Sequence, residues 1–134
     1  MSKEAATIDS ESSAVEVCKS MIRNSTRYLV VLLKGIPVGI VTERDVTSKV
    51  VGLERDPSKV KASEFMSSPL ITVDPDSHID NIVEMMVKHD VSVIPVIKNS
   101  ILYGVFGARE LIQHFDELED KLSRDLIRAC SMGY

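Results

Sequence analysis

The chain repeats itself. A shift of 65 positions aligns residues 7–46 with 72–111 without a gap, and eight of the 40 pairs are identical. These are Thr7/Thr72, Asp9/Asp74, Ser12/Ser77, Met21/Met86, Val31/Val96, Ile36/Ile101, Gly39/Gly104 and Arg44/Arg109. Unrelated stretches of ordinary composition would share about two or three. Conservative pairs such as Ile8/Val73, Val17/Ile82, Leu29/Ile94 and Asp45/Glu110 extend the match. A duplication of this size constrains the fold strongly. It is a small supersecondary unit made twice, and one copy alone buries too little to be stable.

Each copy reads as β-α-β-β-α. In the first, residues 6–9 are extended, and Ser12 or Ser13 can cap a helix over about 13–23. Its apolar positions Ala14, Val17, Cys18, Met21 and Ile22 share one face. Residues 28–33 are an apolar run of strand length, 34–37 carry turn chemistry, and 38–41 form the hairpin partner. A helix then runs from Thr42 to near Val51, with Gly52 placed as its C-terminal glycine. The second copy gives a strand at 71–74, a helix over 78–89 capped by Ser77, strands at 92–97 and 102–106, and a helix from Ala108. The organisation expected is a first repeat at 5–52, a linker and lead-in at 53–70, a second repeat at 71–116 and a helical tail at 117–134. A short helical turn is expected within the linker, around Ala62 to Met66. The fold class is α/β in the mixed α+β sense, with the two repeats packed sheet to sheet about a pseudo-two-fold axis.

At 44% hydrophobic and 4% aromatic, with no Trp, the core has to be built from Val, Ile, Leu and Met. A net charge of -4 argues against non-specific nucleic-acid binding, which needs a basic face. No apolar run is long enough for a membrane span, and Met1-Ser2-Lys3-Glu4 leads into no signal-peptide core. Cys18 and Cys130 make no disulfide framework, and Cys18 reads as a small core residue. The expectation is a cytoplasmic protein in a reducing compartment.

The stretch Gly39-Ile40-Val41-Thr42-Glu43-Arg44-Asp45 is a strand running into a helix. Thr-x-x-Asp is a variant of the capping box, in which two side chains satisfy the free N–H groups of a helix start. The same geometry suits a ligand. N–H groups beside a hydroxyl favour phosphate, and a carboxylate one turn along can accept from a sugar diol. Arg44 and Arg109 could each reach a phosphate tail, or could be solvated arginines paired with Glu43 or Glu110. His78, His89 and His114 make no metal pattern, and Met85 and Met86 read as core filler. No nucleophile stands beside a base in a recognisable arrangement, so no enzymatic activity is expected.

Together the repeat, the lead-in Phe65-Met66-Ser67-Ser68-Pro69-Leu70-Ile71-Thr72-Val73, the strand Val93-Ile94-Pro95-Val96 and the corner Gly39 to Asp45 resemble the CBS domain family, specifically the CBS pair or Bateman module. The resemblance covers about residues 5–116. It implies a stand-alone regulatory module that binds an adenosine-containing ligand (AMP, ADP, ATP or S-adenosylmethionine) in clefts between two repeats, with no obligatory cofactor. By the resemblance, Thr42 would contact phosphate and Asp45 the ribose, with Gly39 and Arg44 in the same motif. Ile8, Leu29 and Val30 would lie against the base. A second, weaker site would use Thr72, Ile94, Pro95, Gly107, Arg109 and Glu110. There Gly107 replaces the hydroxyl, and Glu110 is one methylene longer than Asp. The family also implies a homodimer. Leu111, Phe115, Leu118, Leu122 and Leu126 repeat at helical spacing in the tail, which could close over its own domain or meet a second subunit or an unknown protein target. The alternative function is a protein-interaction or oligomerisation module whose nucleotide clefts are vestigial.

Overall fold

The computed structural model describes residues 6–107, together with 110, 127, 128 and 130. The chain divides into two compact units. Ala5–Ile71 forms the first, and the described residues from Thr72 on belong to the second.

In the first unit a short strand β1 (Thr7–Asp9) leads into helix α1 (Ala14–Arg23), and a hairpin follows, β2 (Tyr28–Leu33) and β3 (Ile36–Thr42). β1 pairs parallel with β2, and β2 antiparallel with β3, giving the sheet order β1-β2-β3. Ser13 caps α1 by accepting from the Glu16 N–H at 3.2 Å, while Glu16 accepts from the Ser13 N–H at 3.1 Å. The amphipathic face read from the sequence packs as expected. Ala14, Val17 and Met21 close over Leu29, Val31 and Val41 of the sheet. In the second unit α4 (Ile79–His89), β4 (Val93–Lys98) and β5 (Ile101–Gly107) repeat this order, and β4 pairs antiparallel with β5.

The duplication holds at the level of individual backbone bonds. Both hairpins turn on two residues of positive φ, Lys34-Gly35 and Asn99-Ser100, so the second strands begin at Ile36 and Ile101, ahead of the 38 and 102 read from the sequence. Both carry a register shift at the same offset, between Val31 and Leu32 and between Val96 and Ile97. Pro37 is tolerated inside β3 because it sits beside that bulge. Both long helices end alike. The Thr26 N–H donates to the Met21 carbonyl and the Val91 N–H to the Met86 carbonyl, each at 3.0 Å, with Ser25 and Asp90 left-handed between them.

The two copies also differ, for physical reasons. β1 is flanked by ladder bonds from the Val30 N–H to the Ala6 carbonyl and from the Ser10 N–H to the Leu32 carbonyl. Pro95 and Pro75 occupy those donor positions in the second copy and have no N–H. The strand expected at 71–74 is therefore a single bridge, Val73 with Val96. Ser77 does not cap α4. Its hydroxyl accepts from the Asp74 N–H at 3.1 Å, and His78 takes the cap position without a side-chain bond.

Residues 53–70, expected as a linker, are packed into the first unit. Val60, Ala62 and Phe65 join its core, and Phe65 is among its largest fully buried side chains. The Ala14 N–H donates to the Val60 carbonyl and the Ala62 N–H to the Ser12 carbonyl. The expected helical turn is α3 (Ala62–Phe65). The helix expected from Ala108, and the tail positions Leu111 to Leu126, lie outside the described residues, although Glu110 is helical.

The helix from the corner is α2 (Glu43–Val46), and it widens into a π-helix over Thr47–Val51. Gly52 does not take a left-handed C-terminal position, since its φ is -64°. Glu54 does, at φ 56°, with the Arg55 N–H donating to the Val50 carbonyl at 2.9 Å. Gly52 is needed for space instead, because a Cβ there would meet the Thr47 carbonyl oxygen at 2.8 Å. Two opposite effects follow and can be read by urea unfolding. Gly52→Ala should destabilise the chain by about 1–3 kcal/mol through overpacking. Glu54→Gly should stabilise it by about 1 kcal/mol by relieving the left-handed conformation.

Candidate functional site

The corner forms where β3 ends. Thr42 is extended, at φ -124° and ψ 166°, and its hydroxyl accepts from the Asp45 N–H at 3.1 Å. In return Asp45 Oδ2 accepts from the Thr42 N–H at 3.0 Å and from the Thr42 hydroxyl at 3.2 Å. The capping box read from the spacing is present.

Asp45 does more than cap. Among the described residues it is the one buried charged side chain. Burying a carboxylate is costly unless it is paired and hydrogen-bonded, and two further groups meet that requirement. Lys49, one turn along, places Nζ 3.0 Å from Asp45 Oδ1. Ser67, from the segment after α3, places its hydroxyl 3.1 Å from Oδ1 and 3.3 Å from Oδ2. Lys49 Nζ also lies 3.5 Å from the Ser67 hydroxyl, which closes a triangle of acid, ammonium and hydroxyl.

Ser67 is held there by the sheet. Its N–H donates to the Ile40 carbonyl at 2.8 Å, and the Ile40 N–H donates to the Ser67 carbonyl at 3.2 Å. This pairing needs the glycine of the motif. A Cβ on Gly39 would lie 2.5 Å from Met66 Sδ and 3.0 Å from the Ser67 carbonyl oxygen. Gly39 thus acts by letting the 66–67 backbone lie against β3.

The other expected site residues are not all gathered at this corner. Leu29 is part of the packed core, and Ile8 packs against that core. Val30 is also fully buried but alternates to the opposite face of β2. These three do not form one open apolar wall. Arg44 is exposed and, among the described residues, makes no ion pair with Glu43. In the second unit Ile94, Pro95 and Gly107 are buried, Thr72 and Glu110 are half-buried, and Arg109 lies outside the described residues. A Cβ on Gly107 would meet Val93 Cγ1 at 3.0 Å and the Ser92 carbonyl at 3.3 Å. Sequence reasoning missed Ser67 and Lys49. The Asp45–Lys49 spacing was visible as a helical i,i+4 pair. Ser67 lies 22 residues from Asp45 and gave no local signal.

A groove of about 540 Å³ lies elsewhere in the first unit, lined by Cys18, Met21, Ile22, Thr26, Glu43 and Val46 among others; Thr42 and Asp45 do not line it. Cys18 is half-buried there, short of the full core position expected. Burial, and then the nearby Glu43 carboxylate, push its thiol above the usual range. Among the described residues no three His, Cys, Asp or Glu side chains are grouped to hold a metal ion. No described helix is long and apolar enough to cross a membrane.

The CBS domain family model matches residues 1–52 and 62–117. The chain belongs to the CBS domain family. An uncharacterised protein of Methanopyrus kandleri is 33% identical over 103 residues, 75% of this chain. The chain spans 53% of that relative's length. A protein with CBS domains from Burkholderia ambifaria has the same fold at a TM-score of 0.81, with 24% identity, covering 88% of this chain and 87% of that one. A CBS domain protein from Pyrobaculum aerophilum, solved in complex with AMP, aligns at a TM-score of 0.77 with 22% identity, covering 96% of this chain and 94% of that one.

The capping geometry carries its own test. Thr42→Ala should cost about 1 kcal/mol of stability, as loss of a helix cap does, whereas Thr42→Ser should unfold in urea close to wild type.

Proposed function

We propose that this chain is the sensor part of a regulatory system and takes up an adenosine-containing ligand at the Thr42–Asp45 corner of its first repeat. One observation carries the reading. Asp45 is a buried carboxylate held in one orientation by donors from three segments, more than a helix cap requires. A preoriented acid of this kind is suited to bind the 2′,3′-diol of a ribose, since both of its oxygens accept. Thr42, at the start of the same turn, stands where a phosphate oxygen could replace the carboxylate as partner of its hydroxyl. Membership of the CBS family supports a regulatory role over a catalytic one, and the AMP held by the Pyrobaculum protein supports the ligand class. The second repeat would hold at most a weaker site, because Gly107 offers no hydroxyl.

A second reading draws on exposed apolar side chains of the first unit. Ile22, Val51 and Leu53 are each more than half exposed, as a protein-contact or homodimer surface would be. In that reading the module joins proteins and the corner is only structural.

A thermal-shift panel separates the two. AMP, ADP, ATP or S-adenosylmethionine should raise the melting temperature of the wild type, by an amount equivalent to about 2.7 kcal/mol at a hundredfold excess over Kd. Asp45→Ala, compared with its own ligand-free baseline, should weaken binding by about 1–3 kcal/mol. A wild type that responds to none of the four compounds would favour the contact module.

A further inference from the structure

We propose that Ser67 is a latch that competes with the ligand for Asp45, so that the corner is closed by its own chain when empty. The inference rests on the reading of Asp45 as the ribose acceptor. A carboxylate offers about four acceptor positions. Here four donors fill them: the Thr42 N–H at 3.0 Å, the Thr42 hydroxyl at 3.2 Å, Lys49 Nζ at 3.0 Å and the Ser67 hydroxyl at 3.1 Å from its nearer oxygen. A sugar diol can bond to this carboxylate only by displacing a donor.

The four are not equally replaceable. The Thr42 N–H is fixed by the backbone of the capping box. The Lys49 side chain is 41% exposed and can keep a charge contact from a shifted position. The Thr42 hydroxyl leaves the carboxylate only where a phosphate takes it up. Ser67 alone comes from outside the turn and its helix, and a rotation about its χ1 withdraws its donor from both carboxylate oxygens while its backbone stays paired with Ile40. Its hydroxyl, like a ribose hydroxyl, is a neutral O–H donor to the same atoms.

The thermodynamic consequence has an unusual sign. The Ser67 bond stabilises the empty protein and is already broken in the loaded one. Removing the hydroxyl therefore destabilises the empty state alone, and the affinity rises by the same amount. A merely structural serine would behave oppositely, since its loss would lower stability and either weaken binding or leave it unchanged.

Calorimetric titration of the full chain with AMP tests this, alongside the ligand-free melting temperature of each protein. Ser67→Ala should bind AMP about three- to tenfold more tightly, the equivalent of one net hydrogen bond, while melting below wild type. Ser67→Cys keeps the shape with a weaker donor, should change affinity in the same direction, and serves if the alanine variant folds poorly. Binding of AMP to Ser67→Ala but not to wild type would also support the latch. Wild-type binding with equal or weaker affinity in both variants would overturn the latch and leave the sensor reading standing. Where AMP gives no heat, ADP, ATP and S-adenosylmethionine are titrated in the same way, and no binding of any of the four to wild type or to either variant would overturn the sensor reading and the latch with it.

Discussion

The first unit is organised around the need to satisfy one buried carboxylate. Asp45 cannot sit where it does without donors, and each donor depends on a different part of the fold. Thr42 depends on β3 ending in an extended residue, so that its N–H and hydroxyl face back along the turn. Lys49 depends on the helix continuing past Val46, which it does in π form. Ser67 depends on Phe65 being anchored in the core and on Gly39 leaving room for Met66. The acid thus ties the hairpin, the helix and the segment after α3 to one point. Removing any of these supports would leave a buried charge short of partners, which is more costly than losing a surface ion pair.

Much of this was legible in the sequence, because a duplication checks itself. Each strand of the hairpin, its bulge and the C-terminal end of the long helix recur at the 65-residue offset, so a weak local signal in one copy was supported by the other. The Thr42–Asp45 pair was legible because three-residue spacing across a helix start has a fixed geometry. Less was legible where periodicity fails. Val60, Ala62 and Phe65 are isolated apolar residues in a charged, proline-bearing stretch, so they read as linker although they complete a core. Leu29 was expected to line a ligand slot because the resemblance placed it there; α1 covers that face of β2 instead. Gly52 matched the composition of a helix stop, but its role is to admit the close carbonyl of Thr47.

The two copies have diverged in ways that act together. Pro75 and Pro95 remove both donors that would flank the first strand of the second copy, leaving one bridge at Val73 where the first copy has a paired strand. At the corner, position 107 is glycine where the first copy has Thr42, and neighbouring atoms occupy the space a side chain would take. Tyr28 stands opposite Thr42 in the first hairpin, and Val93 stands opposite Gly107 in the second. Val93 Cγ1 and the Ser92 carbonyl close over Gly107 so tightly that a Cβ would already be crowded.

That crowding bears on whether the second corner could regain the chemistry of the first. A threonine at 107 would need room for two further heavy atoms beyond a Cβ that already meets Val93 at 3.0 Å. A side chain at 107 therefore requires Val93 and the Ser92 carbonyl to give way in the β4–β5 hairpin. The first corner has the opposite character. Its carboxylate is fully bonded yet partly by groups that can move, Lys49 being 41% exposed and Ser67 reaching in from another segment. In the sensor reading, crowding at Gly107 and the exchangeable hydrogen bonds at Asp45 leave the first corner as the place of response. On the proposed latch, a ligand exchanging for a hydrogen bond would perturb only the groups that made it, and those groups lie on the helix after β3 and on the segment that leads out of the first unit.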